Sequence, residues 1–140
     1  MPLNNTTISG NLTADPELRF TPSGTSVVNF TVANTDRVYD RSTGEWKDGA
    51  KLFMNCFAWK NSGAENIAES LTKGAAVMVT GKLRQRSYTT DDGNKRTVIE
   101  LEVDEIGPSL RHAQAKPVKA ARQGAENANQ GADSWATAGA

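Results

Sequence analysis

Residues 76–88, Ala-Val-Met-Val-Thr-Gly-Lys-Leu-Arg-Gln-Arg-Ser-Tyr, predict the longest alternating strand of the chain. Successive side chains of a strand point to opposite faces of its sheet. One face holds small and apolar residues, which we expect to pack on a core: Val77, Val79, Gly81 and Leu83. The other face, from residue 82 onward, holds three cations and a ring: Lys82, Arg84, Arg86 and Tyr88.

This charged face has two interpretations. Its cations could follow a phosphate backbone while its ring stacks on a base. The alternative is a solvent-exposed edge strand, because exposed lysine and arginine side chains discourage aggregation between sheet edges. Taken alone, the stretch favours the edge strand, so the rest of the chain must decide between the two.

Composition favours one modest domain with a tail and excludes several classes of protein. The chain has 140 residues, of which 37% are hydrophobic and 6% aromatic. It contains no run of eighteen apolar residues and no signal-like start, which predicts a cytoplasmic protein that does not span a membrane. Cys56 is the only cysteine. It cannot form a disulfide within the chain, and a buried thiol is expected rather than an intermolecular bond.

Charge is balanced overall but segregated along the sequence. Residues 1–110 carry 12 Lys and Arg against 14 Asp and Glu, a net charge of −2. A nucleic-acid binder usually has a basic footprint, so binding here must depend on where the charges lie. Residues 82–88 carry only positive charges, and the acidic residues crowd the next apolar segment: Glu100, Glu102, Asp104 and Glu105.

Alternating segments rich in β-branched and aromatic residues predict four further strands, at residues 6–12, 27–35, 52–59 and 96–106. The third strand in chain order carries apolar groups on both faces, so both must meet something other than bulk water. The last strand is expected to point three apolar residues inward: Ile99, Leu101 and Val103.

Turn-forming residues separate these strands, at residues 15–16, 22–24 and 91–94, with Arg19-Phe20 between the first two turns. Residues 40–49 are polar and predict a loop or hairpin tip. One helix is predicted from a Ser62 cap to Lys73-Gly74, and Gly107-Pro108 is expected to end the last strand. From residue 123 onward, Ala, Gly, Asn and Gln predict disorder.

Five strands with one helix between the third and fourth predict an all-β fold, the partly open Greek-key barrel called the OB-fold. We expect this domain to span residues 1–112 and a flexible tail to span residues 113–140. Such barrels bind oligonucleotides or oligosaccharides. Fold alone does not fix function, so a barrel with another role remains the alternative.

Catalytic and metal-binding patterns are missing from the sequence. His112 is the only histidine and follows the last strand, so a Ser-His-Asp or Cys-His arrangement is implausible. One cysteine and one histidine do not supply the usual zinc ligands, and no phosphate-binding glycine loop occurs. We therefore expect no enzyme activity, no metal and no cofactor.

Binding features are better represented. Aromatic residues off the predicted core stripes are candidate stacking platforms: Tyr39, Trp46, Phe53, Trp59 and Tyr88. Cations accompany them as candidate phosphate contacts: Arg37, Lys47, Lys60, Lys82, Arg84 and Arg86. Each stacked base contributes about 1–3 kcal/mol without reading sequence. Ordinary burial, in the barrel or between subunits, is the alternative for Phe53, Phe57 and Trp59.

Several motifs together resemble bacterial single-stranded DNA-binding proteins. Residues 10–12 with 15–19 look like the opening signature of that family, and the match continues in order at residues 43–47, 68–71, 73–74 and 81–84. The resemblance covers roughly residues 4–112. Residues 96–100 and 104–111 look most like the actinobacterial branch, in which the segment after the fifth strand forms a clamp between subunits.

The resemblance implies an OB-fold homotetramer that wraps single-stranded DNA during replication, recombination and repair, as a nucleoid-associated protein. Its stacking positions carry over to Phe53, Trp59 and Tyr88, with Tyr39 near a further stacking position. The family usually ends in an acidic run closed by Ile-Pro-Phe, which docks repair proteins. Residues 133–140 lack that run, so we expect weak or absent recruitment of such partners.

The sequence therefore favours sequence-independent binding of single-stranded DNA by stacking and phosphate contacts. The alternative from another class is an OB-fold interaction or assembly module with weak or no DNA binding. It is favoured by the near-neutral charge and by Val38 near a family stacking position. RNA binding also remains open, because stacking does not sense the 2′-hydroxyl group.

Overall fold

The computed structural model describes residues 4–120, which form six strands and one short α-helix. The elements in chain order are β1 (Thr6–Leu12), β2 (Glu17–Phe20), β3 (Ser26–Asp40), β4 (Glu45–Trp59), α1 (Ala64–Ser70), β5 (Ala76–Thr89) and β6 (Lys95–Pro108). A single 3₁₀ turn, Lys60–Ser62, connects β4 to α1.

Five of these strands close into a barrel in the order β1-β5-β6-β4-β3, and β3 returns to β1. Every neighbouring pair is antiparallel except β4 and β6, which run parallel over Asn55–Phe57. β1 pairs with β5 along most of its length and with β3 only at Asn11 and Leu12. The predicted all-β barrel, with its helix between the third and fourth barrel strands, is confirmed.

Two glycines allow backbones to approach closely where the barrel bends. A Cβ on Gly10 of β1 would lie 2.2 Å from the Ala33 carbonyl oxygen of β3. A Cβ on Gly81 of β5 would lie 2.0 Å from the Glu102 carbonyl oxygen, next to an irregularity in the β5–β6 register. Real Cβ contacts do not reach these distances, so only glycine fits either position without a backbone shift.

The core fills the barrel and extends under α1. It contains residues from every barrel strand and from the helix, including Leu12, Val28, Val32, Ala58, Ile67, Val77, Val79, Leu101 and Val103. Cys56 is 1% exposed, and burial raises the pKa of its thiol to about 12. This thiol therefore stays protonated at neutral pH, as expected for a buried structural cysteine.

Two segments that were not predicted as strands belong to strands. Arg19 and Phe20 belong to β2, which pairs with β3 outside the barrel ring. Most of residues 40–49 are strand as well, and only residues 41–44 form the turn. Both segments lack an apolar core stripe, so their partner strand rather than burial defines them.

Two smaller expectations were wrong. The residue before α1 is Gly63, with no side-chain cap, so Ser62 does not cap the helix. Ile99 is 55% exposed rather than inward, because it pairs with Gln85 beyond the end of the core. The predicted end of the last strand is confirmed, since β6 ends at Pro108, where Gly107 and Pro108 still pair with β5.

Two hairpin arms extend beyond the barrel. The β3–β4 arm comprises residues 37–48, and the β5–β6 arm comprises residues 85–99; both are mostly exposed. Residues 113–120 have no regular structure. The predicted disorder from residue 123 lies outside the described residues, and the domain boundary at residue 112 stays a prediction. Within residues 4–120, no helix is both long and apolar enough to cross a membrane.

Replacing Gly10 with alanine tests the closure of the barrel. The new Cβ must push β1 away from Ala33, and such overpacking typically costs about 1–3 kcal/mol. Urea unfolding should therefore show a lower midpoint for Gly10→Ala. Gly107→Ala is the matched control, because a Cβ there meets nothing within 4 Å. Equal stability of the two variants would contradict the close approach.

Candidate nucleic-acid interface

An open groove with a volume of about 710 Å³ runs along the outside of the barrel between β2, β4 and β5. Its lining combines aromatic rings with charged side chains: Phe20, Phe57, Trp59, Arg84, Arg86 and Glu100. The parallel pairing of β4 with β6 brings these groups together, because it places the two long hairpins side by side.

The rings of the groove come from two strands. Phe57 and Trp59 lie two residues apart on one face of β4, with ring centroids 6.1 Å apart and planes at 88°. Trp59 is 40% exposed, and Phe20 at the end of β2 is 64% exposed. These rings are therefore accessible from solvent, and burial in the barrel does not explain Trp59 or Phe20.

The cations of β5 are paired with carboxylates of β6. Arg84 Nε lies 3.0 Å from Glu102 Oε1, and Arg86 Nε lies 3.0 Å from Glu100 Oε1. Lys82 Nζ lies 3.5 Å from an Asp104 carboxylate oxygen. The charges that are segregated along the sequence are thus interleaved in space, because antiparallel pairing of β5 and β6 places a carboxylate beside each cation.

The β3–β4 arm carries four of the predicted site residues, and they also interact with one another or with carboxylates. Arg37 pairs with Asp48 at 2.6 Å, and Lys47 pairs with Asp40 at 2.7 Å. The rings of Tyr39 and Trp46 lie opposite each other across the arm, 5.4 Å between centroids. This arm is therefore held together by polar and aromatic cross-strand pairs.

The remaining predicted residues lie at the edges of the groove or beyond it. Tyr88, on the β5–β6 arm, is 44% exposed, and Arg86 Cζ lies 5.9 Å from its ring centroid, within cation–π distance. Phe53 is 61% exposed on the same face of β4 as Trp59. Lys60 is exposed and forms no ion pair within residues 4–120.

Of the predicted site residues, the groove itself brings together Trp59, Arg84 and Arg86. It does not include the other eight: Tyr39, Trp46, Phe53, Tyr88, Arg37, Lys47, Lys60 and Lys82. Phe20 was not predicted as a site residue. An apolar ring between two turns was the available signal, but its exposure depends on β2 pairing outside the barrel.

Possible metal ligands are dispersed. Within residues 4–120, no three His, Cys, Asp or Glu side chains form a group suited to hold a metal ion. The carboxylates of Glu100 and Glu102 near the groove instead accept hydrogen bonds from arginine side chains.

The Lys47–Asp40 ion pair predicts that the stability of the β3–β4 arm depends on pH. Lys47, with hydrogen bonds donated by Ser42, holds the pKa of Asp40 well below its ordinary value of 3.8. The pair therefore stabilises the arm at pH values above the ordinary pKa. This stabilisation is lost as the pH falls through the lowered pKa of folded Asp40. Lys47→Met should raise the Asp40 pKa in an NMR carboxyl titration. Lys51→Met, a nearby exposed lysine on β4, should leave it unchanged; no difference between the variants would contradict the pairing.

Comparison with known proteins identifies relatives along most of the chain. A sequence model described as the single-strand binding protein family matches residues 3–109. A protein of Mycobacterium tuberculosis named single-stranded DNA-binding protein is 69% identical over 118 residues, which cover 84% of this chain and 71% of that protein. A Paenarthrobacter aurescens protein of the same name is 59% identical over 138 residues, covering 94% and 80%.

Solved structures show the same fold. A small single-stranded DNA-binding protein from Streptomyces coelicolor superposes with a TM-score of 0.67 at 28% identity, covering 81% of this chain and 100% of that one. A Plasmodium falciparum SSB in complex with ssDNA superposes with a TM-score of 0.65 at 22% identity, covering 77% and 94%, which shows the fold alone. The resemblance to the actinobacterial branch is confirmed by the sequence relatives, and this chain belongs to the single-strand binding protein family.

Proposed function

We propose that this protein binds single-stranded DNA independently of sequence. The observation that carries the proposal is the groove in which Phe20, Phe57 and Trp59 lie beside Arg84 and Arg86. Rings stack on the faces of unpaired bases, and guanidinium groups contact the phosphates between them. The names of the relatives support this ligand, and the family resemblance supports roles in replication, recombination and repair within the nucleoid.

The path of the strand would extend from the groove along the two arms. Phe53 continues the ring-bearing face of β4, and Tyr88 continues the charged face of β5. Lys60 adds a cation directly after Trp59. The exposed Tyr39–Trp46 pair, with Lys47 and Arg37 beside it on the β3–β4 arm, forms a second, more distant contact region. The protein would act by binding alone, with no reaction and no cofactor.

An interaction or assembly module is the second candidate. The ion pairs favour it, because five of the six predicted phosphate-binding cations already have carboxylate partners. Titration of tryptophan fluorescence with oligo-dT at several salt concentrations separates the two candidates. If the protein binds DNA, log K should fall with log salt concentration with a slope of about −0.7 per phosphate neutralised. Absence of quenching at low salt would favour the module instead.

The proposal includes a homotetramer. One edge of β1 pairs with β3 only at Asn11 and Leu12, which leaves the Thr6–Ile8 part of that edge open to a second strand. Met78 and Leu110, 59% and 65% exposed, line another open groove near β1 and β6. Exposed apolar groups of this kind mark interaction surfaces. The weak or absent recruitment of repair proteins expected from residues 133–140 concerns a segment outside the described residues and stays a prediction.

Trp59→Ala should weaken oligo-dT binding without unfolding the barrel. Loss of one stacking platform costs about 1–3 kcal/mol, roughly a 5- to 150-fold rise in Kd. The ring is not part of the buried core, so thermal unfolding should change little. Leu52→Ala is the control, because Leu52 is 46% exposed on the same strand but on its other face. A Trp59→Ala variant that unfolds would instead support a packing role.

Light scattering of the full chain tests the assembly. Four chains of 15.0 kDa should give a mass of about 60 kDa. Met78→Asp places a charge on the exposed apolar surface and should lower that mass. Glu65→Gln on α1 should not change it. A monomeric wild-type protein would contradict the homotetramer.

A further inference from the structure

The cross-strand ion pairs beside the groove are arranged with the carboxylates beneath the cations. The side chains of Glu100 and Glu102 are 14% and 28% exposed, whereas their partners Arg86 and Arg84 are 63% and 52% exposed. Each carboxylate therefore lies closer to the sheet, and each guanidinium lies between the carboxylate and solvent. A ligand that enters the groove meets the guanidinium groups first.

Each pair leaves donors free for a ligand. Both carboxylates accept from the Nε atom of their arginine, at 3.0 Å. Within residues 4–120, the Nη atoms of Arg84 and Arg86 form no hydrogen bond. A guanidinium group has five N–H donors, so a phosphate can bind to the Nη side while the carboxylate keeps its own contact.

The carboxylates also change how far the positive charge reaches. An isolated guanidinium attracts any polyanion from several ångströms away, up to about the Debye length. A guanidinium paired with a carboxylate behaves as a dipole, whose attraction falls off more steeply with distance. A phosphate group therefore gains binding free energy from these arginines only when another contact of the same ligand holds it close to them. The neighbouring rings of Phe57 and Trp59 can do so by stacking on bases.

We propose that Glu100 and Glu102 are specificity-determining residues of the groove. They position Arg86 and Arg84 and cancel their long-range charge, so that the groove retains strands with unpaired bases and releases polyanions that have phosphates alone. The inference rests on the proposed binding of single-stranded DNA. It also gives a reason for a groove with paired arginines in a chain of zero formal charge.

The test compares two probes of equal length, a labelled oligo-dT and a labelled abasic oligonucleotide with the same phosphates but no bases. The full chain and its Glu100→Gln/Glu102→Gln variant are titrated with both by fluorescence anisotropy. Wild-type protein should bind oligo-dT and bind the abasic probe poorly. The variant should gain affinity mainly for the abasic probe. The ratio of its affinities for oligo-dT and for the abasic probe should therefore be smaller than in the wild type.

The salt dependence of binding measures the charge of Arg84 and Arg86 once their carboxylate partners are removed. In the variant, these two arginines should steepen the slope of log K against log salt concentration for the abasic probe by about 1.4. Each phosphate neutralised contributes about 0.7. Lowering salt from about 200 to about 50 mM should then tighten abasic binding about sevenfold more in the variant than in the wild type.

The matched control removes two equal charges outside the groove, as Glu65→Gln/Glu69→Gln on the exposed side of α1. If it produces the same gain, net charge rather than the ion pairs is responsible, and the inference is overturned. Adding Arg84→Gln/Arg86→Gln to the groove variant should abolish the gain. Persistence of the gain without the arginines would also overturn the inference.

Two further outcomes are distinguishable. If the wild type binds oligo-dT but the groove variant keeps the same probe ratio and slope, the inference fails while the proposed function stands. If the wild type does not bind oligo-dT, the proposed function fails and this inference fails with it. Circular dichroism checks the fold of each variant. The single Glu102→Gln change, at the more exposed carboxylate, replaces the double variant if that one unfolds.

Discussion

The structure depends on β1 pairing with two strands at once. Its hydrogen bonds to β5 and β3 close the sheet, and closure is possible because Gly10 lets the backbone approach Ala33. A closed sheet holds the β3–β4 and β5–β6 hairpins in a fixed relation, with β4 and β6 parallel at Asn55–Phe57. The rings of β4 and the arginines of β5 belong to different hairpins, so they form one groove only because of this closure.

Electrostatics in the groove is local. The chain has a formal charge of zero, and five cations in or near the groove and arms have carboxylate neighbours at 2.6–3.5 Å: Arg37, Lys47, Lys82, Arg84 and Arg86. Exposed pairs of this kind contribute little to stability, about 0–1 kcal/mol each. Their more important effect is on the potential that an approaching ligand meets. A protein of this design attracts polyanions weakly from a distance, and its affinity depends on contacts made within the groove.

Sequence patterns predicted the barrel because its strands alternate around a core, as in Val77–Val79 and Val28–Val32. They predicted the β5–β6 hairpin with its turn at residues 91–94 but missed β2 and most of the β3–β4 arm, whose residues have no apolar stripe to reveal a strand. Trp59, Arg84 and Arg86 were predicted as site residues because charge and aromatic character are visible in one dimension. The partners of those arginines were not predicted, because the register of β5 against β6 shifts at Thr80–Gly81 and depends on the closed barrel.

The two arms differ from the barrel in how they are held. They bury almost nothing, and their order depends on backbone pairing with cross-strand contacts such as Tyr39–Trp46 and Arg37–Asp48. Segments with few buried contacts open at a lower free energy than the core around them. Their amide hydrogens should exchange with solvent through local openings that leave Val79 and Leu101 protected. The rings on the arms can therefore reposition independently, while the side of the groove formed by Phe57 and Trp59 on the barrel keeps its shape.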